Sequence, residues 1–181
     1  NKGLGYSLNR GVNLCSNEII VRMDSDDVMV PTRIQKQLAY MNSNPECVLC
    51  GAQVKMFKTQ KDKIIDCGQT NHPSLDLDAF MKNTKKHWLM NHPTFCFRKS
   101  KILEVGNYNS SIRSICEDFE LILRVLKKYG KIFNMPDMLV FYRLHENQLT
   151  HNGGKEGRIF WEQKRNELIN NIFSKNVNNI D

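Results

Sequence analysis

Apolar residues recur at spacings of three and four in several segments of the chain, a pattern typical of helices with one buried face. The first predicted helix covers 3–15, and the second follows Pro31, places Ile34, Leu38 and Met41 on one apolar face, and ends before Asn44-Pro45. Proline is tolerated in a helix's first turn, and an Asn-Pro pair is typical of its end. Further helices are predicted over 73–81, 100–104, 117–129 and 155–175.

Short and almost uninterrupted apolar runs lie between these helices, and they indicate strands covered on both faces of a parallel sheet. They occupy 19–23 and 48–57, with a short returning strand at Ile64-Ile65 and one or two strands around Pro136. Helices that alternate with buried strands predict an α/β sandwich. The strand at 19–23 has no earlier strand to lie beside, so the sheet is expected to lack its first strands.

The composition favours one globular domain and an anionic partner. Of the 181 residues, 40% are apolar and 25% are charged, and the formal net charge is +7. The basic residues are scattered, without an arginine-rich arm, zinc-finger spacing or a basic-aromatic motif, so nucleic acid is not predicted as a partner. No apolar stretch is long enough to span a bilayer, and no secretory signal pattern is present.

Cys47 and Cys50 form a C-x-x-C pair, a spacing found in zinc and redox sites. No second such pair and no close histidine pair completes a zinc site. Both cysteines lie in an apolar run, where cysteine packs as a small hydrophobic residue. The prediction is therefore buried, reduced thiols in a cytoplasmic protein.

The segment Asp24-Ser25-Asp26-Asp27 follows the first predicted strand and contains three carboxylates that repel one another. Carboxylate oxygens at the end of a strand are ligands that Mg²⁺ or Mn²⁺ accepts, and such an ion neutralises a bound diphosphate. A solvated acidic turn that caps the following helix explains the same four residues. The tetrapeptide by itself leaves both interpretations open.

Glu117 and Asp118 open the helix predicted over 117–129, and Asp118 borders its apolar face. The helix dipole favours acidic residues at this end, which is one explanation. The other is that Asp118 acts as a general base in a partly buried site, with Glu117 orienting a neighbour or contacting an acceptor.

Three other side chains are candidates for the same site. His145 follows the last predicted strand and is a surface residue unless the chain folds it back to the acidic segment, where its imidazole would be a metal ligand. His92 precedes Pro93-Thr94 and is expected to line a pocket. Trp88 either stacks on a sugar ring or packs in the core.

Seven short motifs follow one another along the chain, each weak alone but specific in this order and spacing. They are Asn1-Lys2-Gly3-Leu4-Gly5 with Asn9 and Gly11; Arg22-Met23-Asp24-Ser25-Asp26-Asp27; Pro31-Thr32-Arg33 with Gln37; Asn91-His92-Pro93-Thr94; Val105-Gly106-Asn107-Tyr108; Glu117-Asp118-Phe119-Glu120-Leu121; and Leu139-Val140-Phe141-Tyr142-Arg143-Leu144-His145. With these motifs the chain resembles family 2 glycosyltransferases of the GT-A fold, from Asn1 to about residue 150.

The resemblance implies a GT-A-type α/β fold, a Rossmann-like mixed sheet with flanking helices. Residues 1–150 would form the catalytic region, and 151–181 a C-terminal helix and frayed tail of the same domain. The family's first two βα units, at ~30 residues each, clasp the base and ribose and have no counterpart here. Many members have Ala-Arg-Asn where this chain has Ser7-Leu8-Asn9, so the usual arginine contact to the nucleotide is not expected. We therefore expect the chain alone to be inactive or weakly active.

The resemblance also implies a function. It is that of a bacterial metal-dependent inverting enzyme that moves a sugar from a nucleotide-diphosphate donor, usually a UDP sugar, to the hydroxyl of a glycan or lipid-linked acceptor. The product would be a surface glycan or polysaccharide, and the cofactor Mn²⁺ or Mg²⁺. The implied location is cytoplasmic, with peripheral attachment at the inner membrane face left open. The alternative is a non-catalytic nucleotide- or sugar-binding module derived from that fold.

Site residues follow from the same resemblance. Asp118 matches the base that takes the proton from the acceptor hydroxyl. The donor would lie against Asn1, Gly3, Asp24, Ser25 and Asp26, with Asp27 in support. The metal would be held by Asp26, Asp24 and His145, and the acceptor or donor sugar would lie near His92, Glu117 and Trp88.

Overall fold

The computed structural model describes residues 1–84, 88–113, 115–146, 148 and 154–174. Helices and strands alternate in these residues, as the apolar pattern predicts. The helices are α1 (Leu4–Leu14), α2 (Arg33–Ser43), α3 (Leu77–Lys82), α4 (Lys99–Glu104), α5 (Glu117–Tyr129) and α6 (Gly154–Phe173). The strands are β1 (Ile19–Val21), β2 (Val28–Met29), β3 (Leu49–Gln60), β4 (Lys63–Gln69), β5 (Leu75–Asp76), β6 (Cys96–Arg98) and β7 (Lys131–Arg143).

The strands join in a mixed sheet with the main order β1-β6-β3-β7-β2. The central strands β3 and β7 are parallel, whereas the β1–β6, β6–β3 and β7–β2 pairs are antiparallel. β4 returns along β3 as a hairpin, with Lys61 and Asp62 at its tip in the left-handed region. β5 pairs with the start of β7.

Apolar clusters cover both faces of this sheet. Neighbouring residues of a strand point to opposite faces, and accordingly Leu49 belongs to one cluster and Cys50 to the other. The larger cluster packs α1, α5 and α6 against the sheet, and the smaller one includes Met41 of α2. The predicted α/β sandwich is therefore present.

The orientation predicted for β1 was wrong. β1 pairs antiparallel with β6, Ile19 opposite Arg98 and Val21 opposite Cys96, and its residues are half-buried. A short apolar run shows that a strand is covered but carries no information on the direction of its neighbour. The expectation that the sheet lacks its first strands stays a prediction.

Of the one or two short strands predicted around Pro136, the structure has one, because β7 continues through the proline from Lys131 to Arg143. The register against β3 moves from Gly51↔Asn134 to Gln53↔Met138, so β7 advances four residues while β3 advances two. Proline has no N–H to give to a neighbouring strand, and a bulge removes the need for one. A residue typical of breaks thus lies in a bulge of a central strand.

The buried face of α2 differs from the apolar stripe in its sequence. Ile34 and Leu38 are each 37% exposed, whereas Arg33 and Gln37 are fully buried beside Met41. The two polar side chains are buried because they bond to each other and to backbone carbonyls near the end of β1. The apolar spacing therefore predicted the helix correctly and most of its buried face incorrectly.

α1 packs closely on the loop that precedes α5. A Cβ on Gly5 would lie 2.4 Å from the carbonyl oxygen of Ile112, so only glycine fits there. Asn9 donates from Nδ2 to the Tyr108 carbonyl at 2.6 Å, and Asn107 donates from Nδ2 to the Asn9 carbonyl at 3.0 Å. These contacts attach the start of the chain to the segment that leads into α5.

The predicted state of Cys47 and Cys50 is confirmed, since both thiols are buried and free. Within the described part of the chain, no helix combines the length and apolarity needed to cross a bilayer.

Candidate active site

The acidic segment forms a turn between β1 and β2, at the edge of the sheet where β7 ends. The Asp27 N–H points back to the Asp24 carbonyl at 3.4 Å, which closes the turn. Ser25 is exposed, Asp24 and Asp26 are half-buried, and Asp27 is buried. The carboxylates therefore differ in their access to a ligand.

The end of β7 holds this turn in place and brings His145 to it. Arg143 donates from its backbone N–H to Asp27 Oδ1 and from Nε to the Asp26 carbonyl, both at 2.9 Å. His145 Nε2 lies 3.0 Å from Asp26 Oδ2. The chain thus folds His145 back to the acidic segment, across more than a hundred residues.

The Asp26–His145 pair fits a divalent cation that takes its remaining ligands from elsewhere. Both side chains are open to solvent, with exposed fractions of 40% and 38%. Mg²⁺ is commonly held by one or two carboxylates together with substrate phosphates and water, not by an all-protein cage. The described residues contain no group of three or more His, Cys, Asp or Glu side chains that could hold an ion by itself, so the metal stays a prediction.

Asp24 has a different partner. Its Oδ2 and Oδ1 accept hydrogen bonds from Arg22 Nη1 at 2.8 Å and Nη2 at 2.5 Å. Both carboxylate oxygens are therefore oriented by one guanidinium, and the assignment of Asp24 as a metal ligand stays a prediction. Arg22 was assigned no role from the sequence, although a cation two residues before an acidic segment was a signal for such a pair.

A series of buried hydrogen bonds from α2 holds the backbone of Arg22 in place. Arg33 donates from Nη2 to the Arg22 carbonyl at 2.6 Å and from Nε to Gln37 Oε1 at 2.9 Å. Gln37 then donates from Nε2 to the Thr94 carbonyl at 2.7 Å. These side chains connect α2, the end of β1 and the 3₁₀ turn His92–Thr94, and they too were assigned no role from the sequence.

A second group of polar side chains lies at the start of α5. Cys116 adopts a left-handed conformation (φ 64°), which turns the chain into the helix at Glu117. Glu117 Oε1 lies 3.5 Å from His92 Nδ1, and His92 Nε2 lies 3.0 Å from the Tyr108 hydroxyl. His92 therefore bridges Glu117 and Tyr108.

Burial sets the protonation of this group. It raises the pKa of Glu117 to about 7, and the neighbouring Asp118 carboxylate adds to the rise. It holds the pKa of His92 well below the usual range, with a further contribution from Arg22. At neutral pH, His92 is therefore a neutral imidazole.

Asp118 is half-buried in the first turn of α5, where its Oδ1 accepts a hydrogen bond from the Phe119 N–H at 2.7 Å. Burial raises the pKa of Asp118, against the opposing effect of that hydrogen bond and of Arg165 and Arg22. A carboxylate with a raised pKa binds a proton more strongly, as a general base must.

The two groups lie side by side, since the Arg22 N–H donates to the Phe95 carbonyl at 2.8 Å and the Phe95 ring packs against His92 with centroids 4.9 Å apart. Arg22 lowers the pKa values of Glu117 and Asp118, and the Asp24 carboxylate raises that of Glu117. The residues that the sequence placed in separate motifs therefore act on one another through their charges.

The remaining candidates lie around this centre or at the surface. Trp88 is 60% exposed, so the core-packing interpretation was wrong, and a sugar-stacking role stays a prediction. Asn1 Oδ1 accepts a hydrogen bond from the Gly3 N–H at 2.9 Å, and a Cβ on Gly3 would lie 2.6 Å from the Arg113 carbonyl oxygen. Donor contacts of Asn1, Gly3 and Ser25 likewise stay predictions.

Comparison with known proteins gives the family context. The family model described as "Glycosyltransferase like family 2" matches residues 2–167. The chain is 33% identical over 154 residues to the amylovoran biosynthesis glycosyltransferase AmsE of Erwinia amylovora, covering 85% of this chain and 55% of that protein. It is 30% identical over 155 residues to the Escherichia coli UDP-Gal:alpha-D-GlcNAc-diphosphoundecaprenol beta-1,3-galactosyltransferase, covering 85% and 54%. The chain thus spans about half the length of the curated relatives it matches.

Solved structures confirm the predicted fold. The complex of S. aureus TarS 1–349 with UDP-GlcNAc matches with a TM-score of 0.60 at 11% identity, over 94% of this chain and 52% of that one. Its complex with UDP matches with a TM-score of 0.56 at 12% identity, over 94% and 50%. At such low identity the likeness shows the fold alone, a GT-A-type mixed sheet with flanking helices.

Proposed function

Because this chain belongs to the family described as Glycosyltransferase like family 2, we propose that it carries the catalytic centre of an enzyme that transfers a sugar from a UDP-sugar to an acceptor hydroxyl with inversion. The observation that carries the proposal is the joining of an acidic turn, open at Asp26 and His145, with a half-buried carboxylate, Asp118, in one site. The two curated relatives, one of amylovoran biosynthesis and one that acts on a GlcNAc-diphosphoundecaprenol, support a glycan or lipid-linked acceptor in polysaccharide synthesis.

The donor side of the proposed site is the turn after β1. Asp24 is oriented by Arg22 to accept hydrogen bonds from donor hydroxyls, and Asp26 with His145 faces the diphosphate. Mn²⁺ or Mg²⁺ would be held by Asp26 and His145, and when bound it would neutralise charge on the diphosphate. Asp27, buried against Arg143, keeps the turn in shape.

On the acceptor side, Asp118 takes the proton from the attacking hydroxyl. The acceptor oxygen forms its bond to the anomeric carbon on the face opposite the departing nucleotide diphosphate, so the configuration inverts. His92 is neutral and bridges Glu117 and Tyr108, and this keeps the start of α5 fixed beside the acceptor. Holding both reactants in line supplies a large share of the rate.

Substitution of Asp118 tests the catalytic part of the proposal. UDP release from a panel of UDP-sugars with glycan and lipid-diphosphate acceptors is measured for the wild type and for Asp118→Asn. The wild-type chain is expected to release UDP only weakly, and we expect Asp118→Asn to lower that release by about a hundredfold or more, the scale of general-base catalysis. Asp78→Asn is the matched control, since Asp78 is an exposed acid in the first turn of α3 and shares the helix-end position but not the site.

Donor binding is tested separately by calorimetric titration of the chain with UDP. We expect binding to be stronger with Mn²⁺ than with EDTA, and Asp26→Asn and His145→Ala to remove that difference. Binding that persists while Asp118→Asn changes nothing in any activity would favour a non-catalytic nucleotide-binding module. A chain that neither binds UDP nor releases it from UDP-sugars contradicts the proposal for these 181 residues. A cytoplasmic location stays a prediction, and peripheral attachment at the inner membrane face stays open.

A further inference from the structure

Arg22 is a buried cation fixed at the end of β1. Its side chain is 8% exposed. Its backbone N–H donates to the Phe95 carbonyl at 2.8 Å, and its carbonyl accepts from Arg33 Nη2 at 2.6 Å. These bonds, one to the residue that precedes β6 and one to α2, fix the backbone of Arg22 and therefore the position of its side chain.

The guanidinium of Arg22 grips Asp24 with two parallel hydrogen bonds, which are the geometry that fixes a carboxylate plane most firmly. Asp24 is 34% exposed, so Arg22 lies beneath and Asp24 opens outward. Arg22 Nε is buried and finds no hydrogen-bond partner among the described residues. The side chain therefore keeps a buried donor unsatisfied in order to hold this position.

Arg22 also adjoins the acceptor side of the site, because Phe95, which accepts from the Arg22 backbone N–H at 2.8 Å, packs its ring against His92 with centroids 4.9 Å apart. The charged groups that act on Glu117 are Asp118 from its own helix, and Arg22 and Asp24 from the turn after β1, with His92 in contact. Asp118 is acted on by Arg22 and, from α6, by Arg165. Arg22 is thus the cation shared by the carboxylates of both sides.

We propose that Arg22 is a positioning residue for both halves of the site: it fixes Asp24 toward the donor and holds a positive charge beside the Glu117–Asp118 pair on the acceptor side. The inference rests on the proposed function for what the two halves bind. The charge stabilises the ionised pair, so that Asp118 enters the reaction as the carboxylate that can accept a proton. The two-point grip and the charge are separable properties of one side chain.

Two substitutions separate them. Arg22→Gln removes both the charge and the grip, whereas Arg22→Lys keeps the charge but cannot make the planar two-point contact. Arg124→Gln is the matched control, because Arg124 makes the same kind of double contact with Glu120 on α5, at 2.9 and 2.5 Å, away from Asp24. Circular dichroism establishes that each variant is folded before it is compared.

The first readout needs no activity. Carboxyl ¹³C NMR of the chain follows the titration of the Glu117–Asp118 pair, whose midpoint moves to higher pH in Arg22→Gln and stays near the wild-type value in Arg22→Lys and Arg124→Gln. The second readout is UDP affinity. It falls about tenfold in both Arg22 variants, the loss expected from a hydrogen bond to a charged group, and is unchanged in Arg124→Gln.

The outcomes are distinct. An unmoved midpoint in folded Arg22→Gln overturns the proposal whatever the UDP result. Equal UDP affinity in wild type and Arg22→Lys overturns the proposal that the two-point contact with Asp24 positions this residue for donor binding. If the wild type binds no UDP and releases none from UDP-sugars, the proposed function fails, and the titration still decides whether Arg22 supplies the charge.

Discussion

Replacing Asp27 with asparagine should stabilise the protein at neutral and alkaline pH, although it removes a residue of the acidic motif. Asp27 is 7% exposed, and its Oδ1 accepts one hydrogen bond, from the Arg143 N–H. Its Oδ2 is buried without a hydrogen-bond partner in the described part of the chain. Asparagine keeps the acceptor and replaces a charged, unpaired oxygen with a neutral amide.

The size of the effect follows from the pKa of Asp27. Burial raises it from 3.8 to about 6, with Asp24 and Asp26 adding to the rise. At ~1.4 kcal/mol for each pKa unit, the ionised form costs at most about 3 kcal/mol. The pKa of Asp27 is higher in the folded chain than in the unfolded chain. The wild type is therefore fully stable with respect to this group below about pH 4, where Asp27 is protonated, and it loses stability as the pH rises through about 6.

Urea unfolding at pH 8 and pH 4.5, in EDTA so that no cation binds the turn, measures this. We expect Asp27→Asn to raise the free energy of unfolding by about 1–3 kcal/mol at pH 8 and to lose most of that gain at pH 4.5. Asp62→Asn is the control: Asp62 is exposed at the β4 hairpin tip, in a left-handed conformation that asparagine also adopts, and should change little. A variant that is less stable than the wild type at pH 8, or equally stabilised at both pH values, would refute the reasoning.

Three further outcomes are expected. Gly11→Ala should stabilise the protein by about 0.5–1 kcal/mol, because a Cβ on Gly11 meets nothing within 4 Å. Gly5→Ala in the same helix should destabilise the protein. Thermal melts of the two variants should therefore show a raised melting temperature for the first and a lowered one for the second. Phe80→Ala removes a fully buried ring and should cost about 3–5 kcal/mol in urea unfolding, against a small change for the half-exposed Met81→Ala. Burial raises the pKa of Glu117 to about 7, so the wild type should lose stability as the pH rises from about 4.5 through 7. The Glu117→Gln variant should lose less stability over that pH range, and an equal loss in both proteins would contradict the raised pKa of Glu117.

Much of the architecture was predictable because it depends on apolar spacing. The helices near 3–15 and 117–129 repeat apolar residues every three or four positions, and the central strands β3 and β7 contain apolar runs. These features identify an element and show that it is covered. They do not show which neighbour covers it, and for that reason the direction of β1 was missed and the number of strands around Pro136 stayed open.

The face of α2 shows a second limit. Ile34 and Leu38 lie at helical spacing, yet Arg33 and Gln37 occupy the buried positions. They do so because they donate hydrogen bonds to the backbone carbonyls of Arg22 and Thr94. That arrangement arises only when β1 and the 3₁₀ turn come together in three dimensions. A pattern of hydrophobicity along one segment contains no record of it.

The candidate site was predictable to the level of its motifs and no further. The order of the motifs indicated that Asp26, His145, His92 and Glu117 belong together, and the structure brings them to the same end of the sheet. The pairing of Arg22 with Asp24 was not foreseen. In the sequence, Arg22 is only a charged residue at the end of an apolar run. Its role becomes apparent when the structure shows both carboxylate oxygens of Asp24 oriented toward its guanidinium.

The bonds from Arg143 to the acidic turn also bear on how the chain acquires its site. They span 116 and 117 residues, so they form only after β7 has paired with β3 and β2. Contacts of such long sequence separation form slowly, because a large loop must close first. During synthesis the carboxylates at 24–27 emerge more than a hundred residues before Arg143, and they stay solvated and mutually repelling until β7 has been made. The pairing of β7 and the assembly of the Asp26–His145 pair are therefore coupled.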